Sequence, residues 1–112
     1  MVNIETFRQF ALAFDEALES PHFEKTSFRV NKKIFATLNI KTNEAVIKLS
    51  VIDQSVFCSY DKTIIYPVAG RWGLQGWTMI ALNKVGKNML KDALTTSYCA
   101  VAPKKLAEKY RR

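Results

Sequence analysis

Two short alternating runs, Ser27–Val30 and Ile34–Leu38, are separated only by Asn31, Lys32 and Lys33. A connection that short cannot carry a crossover, so the two runs must lie antiparallel as a hairpin, with Asn31 suited to the positive φ of its turn. The constraint then repeats. Ala45–Leu49 follows through Lys41, Thr42 and Asn43, and Ile64–Val68 returns as Trp77–Leu82 across a loop punctuated by Gly70, Gly73 and Gly76. Strands linked this way make a mostly antiparallel sheet, and the helices then gather on one of its faces. Pro67 puts the Ile64–Val68 run at a sheet edge or at a strand end, because proline has no N–H for a central ladder.

Three helices complete the pattern. Ile4, Phe7, Ala11, Phe14 and Leu18 recur at three- and four-residue steps, which predicts a helix over 4–18 with Asn3 as its N-cap and Ser20-Pro21 as its stop. That helix would carry Asp15, Glu16 and Glu19 on the outer side of its last turns. Ser50 and Asp53 resemble a capping box that opens a second helix to about Tyr60. Leu90, Ala93, Leu94, Ser97 and Val101 mark the buried face of a third, over 87–102. Pro103 interrupts it, and Lys104 to Tyr110 adds a last turn or two. The expected order is α-β-β-β-α-β-β-α, a single α+β domain. At 112 residues such a domain hides roughly two-thirds of its unfolded surface and needs no metal or disulfide to hold its core.

The charge is uneven. Residues 1–24 hold one base and five acids, whereas residues 25–112 hold sixteen bases and five acids, and the chain carries a net +7. A basic balance of this kind favours a polyanionic partner such as nucleic acid. No apolar run approaches the ~18 residues of a membrane span. Glu5 and Arg8 interrupt any signal-peptide core. Two cysteines, Cys58 and Cys99, are too few for a disulfide framework and are expected as free thiols. The expectation is a cytoplasmic protein without a membrane association.

Several blocks then line up in order. Pro21-His22-Phe23 precedes Ser27-Phe28-Arg29-Val30 and Lys33-Ile34-Phe35-Ala36. Lys48-Leu49-Ser50 with Gln54, Tyr66-Pro67-Val68, Gly73-x-x-Gly76-Trp77-Thr78 and Ala102-Pro103-Lys104-Lys105-Leu106 follow. Across nearly its whole length the chain resembles the MmcQ/YjbR-like proteins. The resemblance implies a fold similar to secretion-chaperone-like and frataxin-like folds, and a DNA-binding role through two basic hairpin "wings".

The residues themselves supply candidates for that role. The first hairpin presents Arg29, Lys32 and Lys33; the second presents Arg71, Trp72 and Gln75, with Trp77 where the next strand starts. Cations neutralise phosphates, Gln75 is able to read a base edge, and an exposed tryptophan stacks on an unpaired base. Burial is the stronger expectation for Trp77. The glycines do not form a P-loop, since no Gly-Lys-Ser/Thr follows and the loop joins two strands. Lys104 and Lys105 begin a basic C-terminal segment that either lies along phosphates or faces solvent. Enzyme chemistry finds little support. His22 is the only histidine, the cysteines lack zinc-ligand spacing, and no cofactor or metal is expected. The expected function is non-enzymatic DNA binding through backbone contacts. A protein-interaction or chaperone-like module, suggested by the apolar Trp72-Gly73-Leu74 tip, is the alternative. The oligomeric state is left open.

Overall fold

The computed structural model describes residues 2–22 and 25–110. In chain order the elements are α1 (Ile4–Leu12), β1 (Leu18–His22), β2 (Lys25–Val30), β3 (Lys33–Asn39), β4 (Glu44–Lys48), α2 (Val51–Cys58), β5 (Ile65–Pro67), α3 (Arg71–Leu74), β6 (Trp77–Ala81), α4 (Lys87–Val101) and α5 (Lys104–Ala107), with a 3-10 turn at Glu108–Tyr110. The strands form one fully antiparallel sheet ordered β1-β2-β3-β4-β6-β5. The fold is α+β, as the hairpin-length connections require. No helix among the described residues is long and apolar enough to cross a membrane.

Alternation assigns the sheet faces. Phe28, Val30, Ala36, Leu38, Ala45, Ile47 and Ile80 are buried toward the helices, and α4 lies across β3 and β4. Leu90, Ala93, Leu94 and Ser97 are the buried face of α4. Phe7 of α1 meets Phe28 edge-on, with ring centroids 5.6 Å apart. Phe14, Phe35, Tyr98 and Tyr110 form a second aromatic cluster. The opposite face carries the register row Ser27, Thr37, Val46 and Met79.

The first helix is shorter than its apolar spacing predicts. It stops at Leu12, and Leu18–His22 is a strand paired with β2 rather than helix and stop signal. Tertiary contacts override the periodicity here. The Tyr98 hydroxyl donates to the Asp15 carbonyl at 2.7 Å, and the Tyr110 hydroxyl accepts from the Asp15 N–H at 3.0 Å. Both backbone groups a continuing helix would use are therefore taken. Glu16 then turns the chain through φ 61°. The expected acidic helix end is split as a result. Asp15 pairs with Lys109, while Glu19 on β1 reaches back to Arg8 at 2.7 Å. Arg8 also binds Glu5, so one guanidinium bridges α1 and β1.

One irregularity shapes the sheet. Phe28 faces Ala36 and Arg29 faces Ile34, so Phe35 is an extra residue, a bulge on β3. Continuing the β3–β4 register would place Phe35 opposite Lys48. Instead, the Ser97 hydroxyl of α4 donates to the Phe35 carbonyl at 2.7 Å and accepts from the Lys48 N–H at 3.1 Å. A helix side chain stands in for a missing ladder bond, and β3 and β4 part at this end of the sheet.

Candidate nucleic-acid interface

The β2–β3 turn needs two left-handed residues, and Asn31 (φ 51°) and Lys32 (φ 69°) both adopt that conformation. Asparagine tolerates it well; lysine does so at a cost of roughly 1 kcal/mol. Lys32 and Lys33 are exposed there. Arg29 differs. It is half-buried on the strand, and its Nε donates to Ser27 Oγ at 3.3 Å, so the guanidinium rests partly on the sheet.

Strand direction decides where the second tip lies. β3 starts at the Asn31-Lys32 turn, β4 ends beside it at Lys48, β6 starts opposite Lys48 at Trp77, and β5 ends opposite Thr78 at Pro67. The β2–β3 turn and the β5–β6 connection thus leave the same end of the sheet, with β4 between them. Lys48, which the sequence offers only as part of the Lys48-Leu49-Ser50 block and not as a site residue, occupies the gap. Its ammonium lies 5.8 Å from the centre of the Trp77 ring and donates to the Gln75 carbonyl.

The second tip is a helical turn, not the open glycine loop expected from sequence. Gly70 enters it at φ 74°, and α3 carries Arg71, Trp72 and Leu74 outward. Gln54 of α2 fastens this turn: its Nε2 donates to the Gly73 carbonyl at 2.9 Å and lies 3.2 Å from both the Trp77 carbonyl and Thr78 Oγ1. A Cβ on Gly73 would overlap the Val68 carbonyl oxygen, so only glycine lets the turn pack this closely. Trp72 is 62% exposed and meets the half-buried Trp77 edge-on at 6.4 Å. Gln75 is exposed at the C-cap of α3.

Where β3 and β4 part, a groove of about 940 Å³ opens between the strands, α2 and α4. Lys33, Lys48 and Trp77 line it together with Asp53, Asp92 and Thr96. Its volume is that of a ligand cleft, but its walls carry both signs of charge. The groove takes in Val101 and Tyr110 on either side of α5, yet neither Lys104 nor Lys105 lines it. Those two lysines are exposed on α5. Arg111 and Arg112 lie outside the described residues, as does the His22 side chain.

Two further features bear on chemistry. Burial pushes the Cys58 thiol above its ordinary value, which suppresses the thiolate a nucleophile would need. Cys99 is half-buried, with its sulfur 3.7 Å from the Ala107 carbonyl. Among the described residues no three histidine, cysteine or carboxylate side chains gather as a metal-ligating group.

The YjbR family profile matches residues 12–100, most of the chain. The protein belongs to the YjbR family. The match runs from the end of α1 almost to the end of α4, and so takes in both tips, Lys48 and the groove lining apart from Val101 and Tyr110. A solved structure of this architecture is Deinococcus radiodurans protein DR2400, a DUF419 domain. It aligns with a TM-score of 0.80 at 18% identity, over 98% of the YjbR chain and 88% of its own. That likeness shows a shared fold. No curated protein matches the chain.

Proposed function

We propose that this YjbR protein is a non-enzymatic nucleic-acid-binding domain that meets its partner with one end of its sheet. The observation that supports this is the common direction of the two tips. Register gathers Lys32, Lys33, Lys48 and Arg71, which are scattered over forty positions of sequence, around an exposed Trp72. Clustered cations release counterions when they neutralise phosphates, and a free indole face stacks on a base without regard to its identity. Asp53 and Asp92 line the groove, which favours the rim over the cleft floor for phosphate contact. Gln75, exposed at the end of α3, would add a base-edge contact. Arg29 contributes to the field from the strand, and Lys104 and Lys105 supply general attraction from α5.

Binding of this kind is weak and largely indifferent to sequence, with dissociation constants of roughly 10⁻⁴ to 10⁻⁶ M at physiological salt. The test is fluorescence anisotropy of labelled duplex and single-stranded DNA titrated with the protein at about 50 and 150 mM salt, a range over which phosphate-driven binding weakens steeply. Binding that weakens with salt is the expected result. No binding to either DNA at the lower salt removes the proposal.

A further inference from the structure

The rim contacts make no use of the groove itself, although Lys33 and Lys48 belong to both. Trp77 and Phe57 give the lining aromatic surface, and Asp53 of α2 and Asp92 of α4 give it carboxylates. About 940 Å³ is ample for one ligand of nucleotide size. Asp53 lies half-buried in the first turn of α2, where Ser50 caps its N–H. Among the described residues no cation forms an ion pair with its carboxylate.

We infer that the groove receives one unstacked base of a bound single strand and that Asp53 accepts from its Watson–Crick edge. This rests on the nucleic-acid reading above and lays a base preference over the sequence-indifferent contacts of the rim. Charge chooses the occupant. Lysines shared by rim and lining hold phosphates at the mouth, so the bases of that strand pass over the opening. The carboxylates repel an anion, but a base is neutral, planar and rich in donors. Proteins that read single strands splay bases out, stack them on aromatic side chains and bond their Watson–Crick edges. An ionised carboxylate only accepts, through two oxygens. Guanine offers it two adjacent donors, N1–H and the 2-amino group. Adenine and cytosine offer one amino group beside a ring nitrogen that accepts, and thymine one N–H between two carbonyls. Guanine is therefore the best fit and thymine the poorest. In a duplex these donors are already paired, so the preference belongs to single strands.

The test uses labelled oligothymidine strands that differ only at one central position, which holds guanine, hypoxanthine or thymine. Fluorescence anisotropy with the full chain at about 50 mM salt gives the affinities. The guanine strand should bind about tenfold tighter than the thymine strand, as one bidentate contact provides. Hypoxanthine lacks the 2-amino group and should lose most of that advantage with the protein unaltered. Asp53→Asn keeps the side chain's size but sets an amide donor against the donors of guanine. It should bring the guanine-to-thymine ratio near one while leaving the slope against salt unchanged. Losing a negative charge strengthens every strand alike, so the ratio is the readout. Equal binding of the guanine and thymine strands overturns the inference and leaves the rim reading standing. A preference that survives either Asp53→Asn or the hypoxanthine exchange also overturns it. No binding of any strand removes both.

Discussion

Phe35 and Lys48 stand where a continued β3–β4 register would pair them, and the hydroxyl of Ser97 bonds to the backbone of both instead. The sheet is held apart at the end where the two tips emerge, and the groove begins at that separation. Removing this hydroxyl tests the arrangement directly. Ser97→Ala leaves a buried carbonyl and a half-buried N–H without their partner, at a cost of about 2–3 kcal/mol. Urea unfolding monitored by dichroism should show a lower midpoint with the slope unchanged. If β3 and β4 zip together in the variant, the loss will be smaller and the groove narrower, which amide exchange at Lys48 would report.

Gln54 is the second buried polar anchor. Gln54→Ala deprives the Gly73 and Trp77 carbonyls of their donor and frees α3 from α2. The expected loss is roughly 2 kcal/mol in equilibrium unfolding. Trp72 and Trp77 report on the same region, so their fluorescence should change at denaturant concentrations below the global transition.

Two glycines of the second tip separate conformational strain from steric overlap. Gly70 has φ 74° and ψ −149°, a region almost closed to other residues, yet open space surrounds its Cβ position. Gly70→Ala should cost about 1–3 kcal/mol. Gly76 has φ 103°, and a Cβ there would overlap the Leu49 carbonyl oxygen. Gly76→Ala should therefore cost more than about 4 kcal/mol, at the extreme of single substitutions. Chemical denaturation of the two variants side by side gives the ranking, and equal losses would contradict it.

The rim cations should act individually on salt dependence. Lys32→Ala, Lys33→Ala and Arg71→Ala are each expected to flatten the slope of log affinity against log salt for duplex DNA by about 0.9. Lys41→Ala and Lys87→Ala, at the opposite end of the sheet, should leave the slope nearly unchanged. Stability should move by no more than about 0.5 kcal/mol in any of these variants. Arg29→Ala is expected to differ: its bond to Ser27 goes with it, so stability should fall more than the salt slope does.

Acid sensitivity should trace in part to the junction of α1 and β1. The hydrogen bond from Arg8 holds the Glu19 carboxyl below its ordinary value, against a smaller opposing effect of burial. A carboxyl depressed in the folded state adds stability that is complete above its unfolded value and is lost as pH falls through the folded one. Glu19→Gln should flatten the acid side of the stability curve below about pH 4.5, the ordinary value of the group. At pH 7 the variant should be the less stable protein. Thermal melts across that range provide the measurement.

Local chemistry made part of this legible in sequence. Asn3 and Ser50 cap their helices, accepting from Thr6 and Asp53 as short polar N-caps do. Asn31 takes its positive φ, Pro67 ends an edge strand, and the buried face of α4 follows its spacing. The failures share a cause. Phe14 and Leu18 continue a helical period, but Tyr98 and Tyr110, more than eighty positions away, claim the backbone that the helix needed. Lys48 looked like one lysine among many because its neighbours at the tips are set by register. Gln54 was visible only as a member of an ordered block, with no local pattern to show that it reaches Gly73.

The margins of the sheet carry one more consequence. β1 and β5 are its two outer strands, and each contains a proline, Pro21 on one and Pro67 on the other. An outer strand is a template on which a stray chain can polymerise, and a proline there withdraws one of the donors such growth requires. Both borders are thus discouraged from accepting a seventh strand, and this basic chain is shielded from filament formation at the two places where an open sheet is most exposed to it.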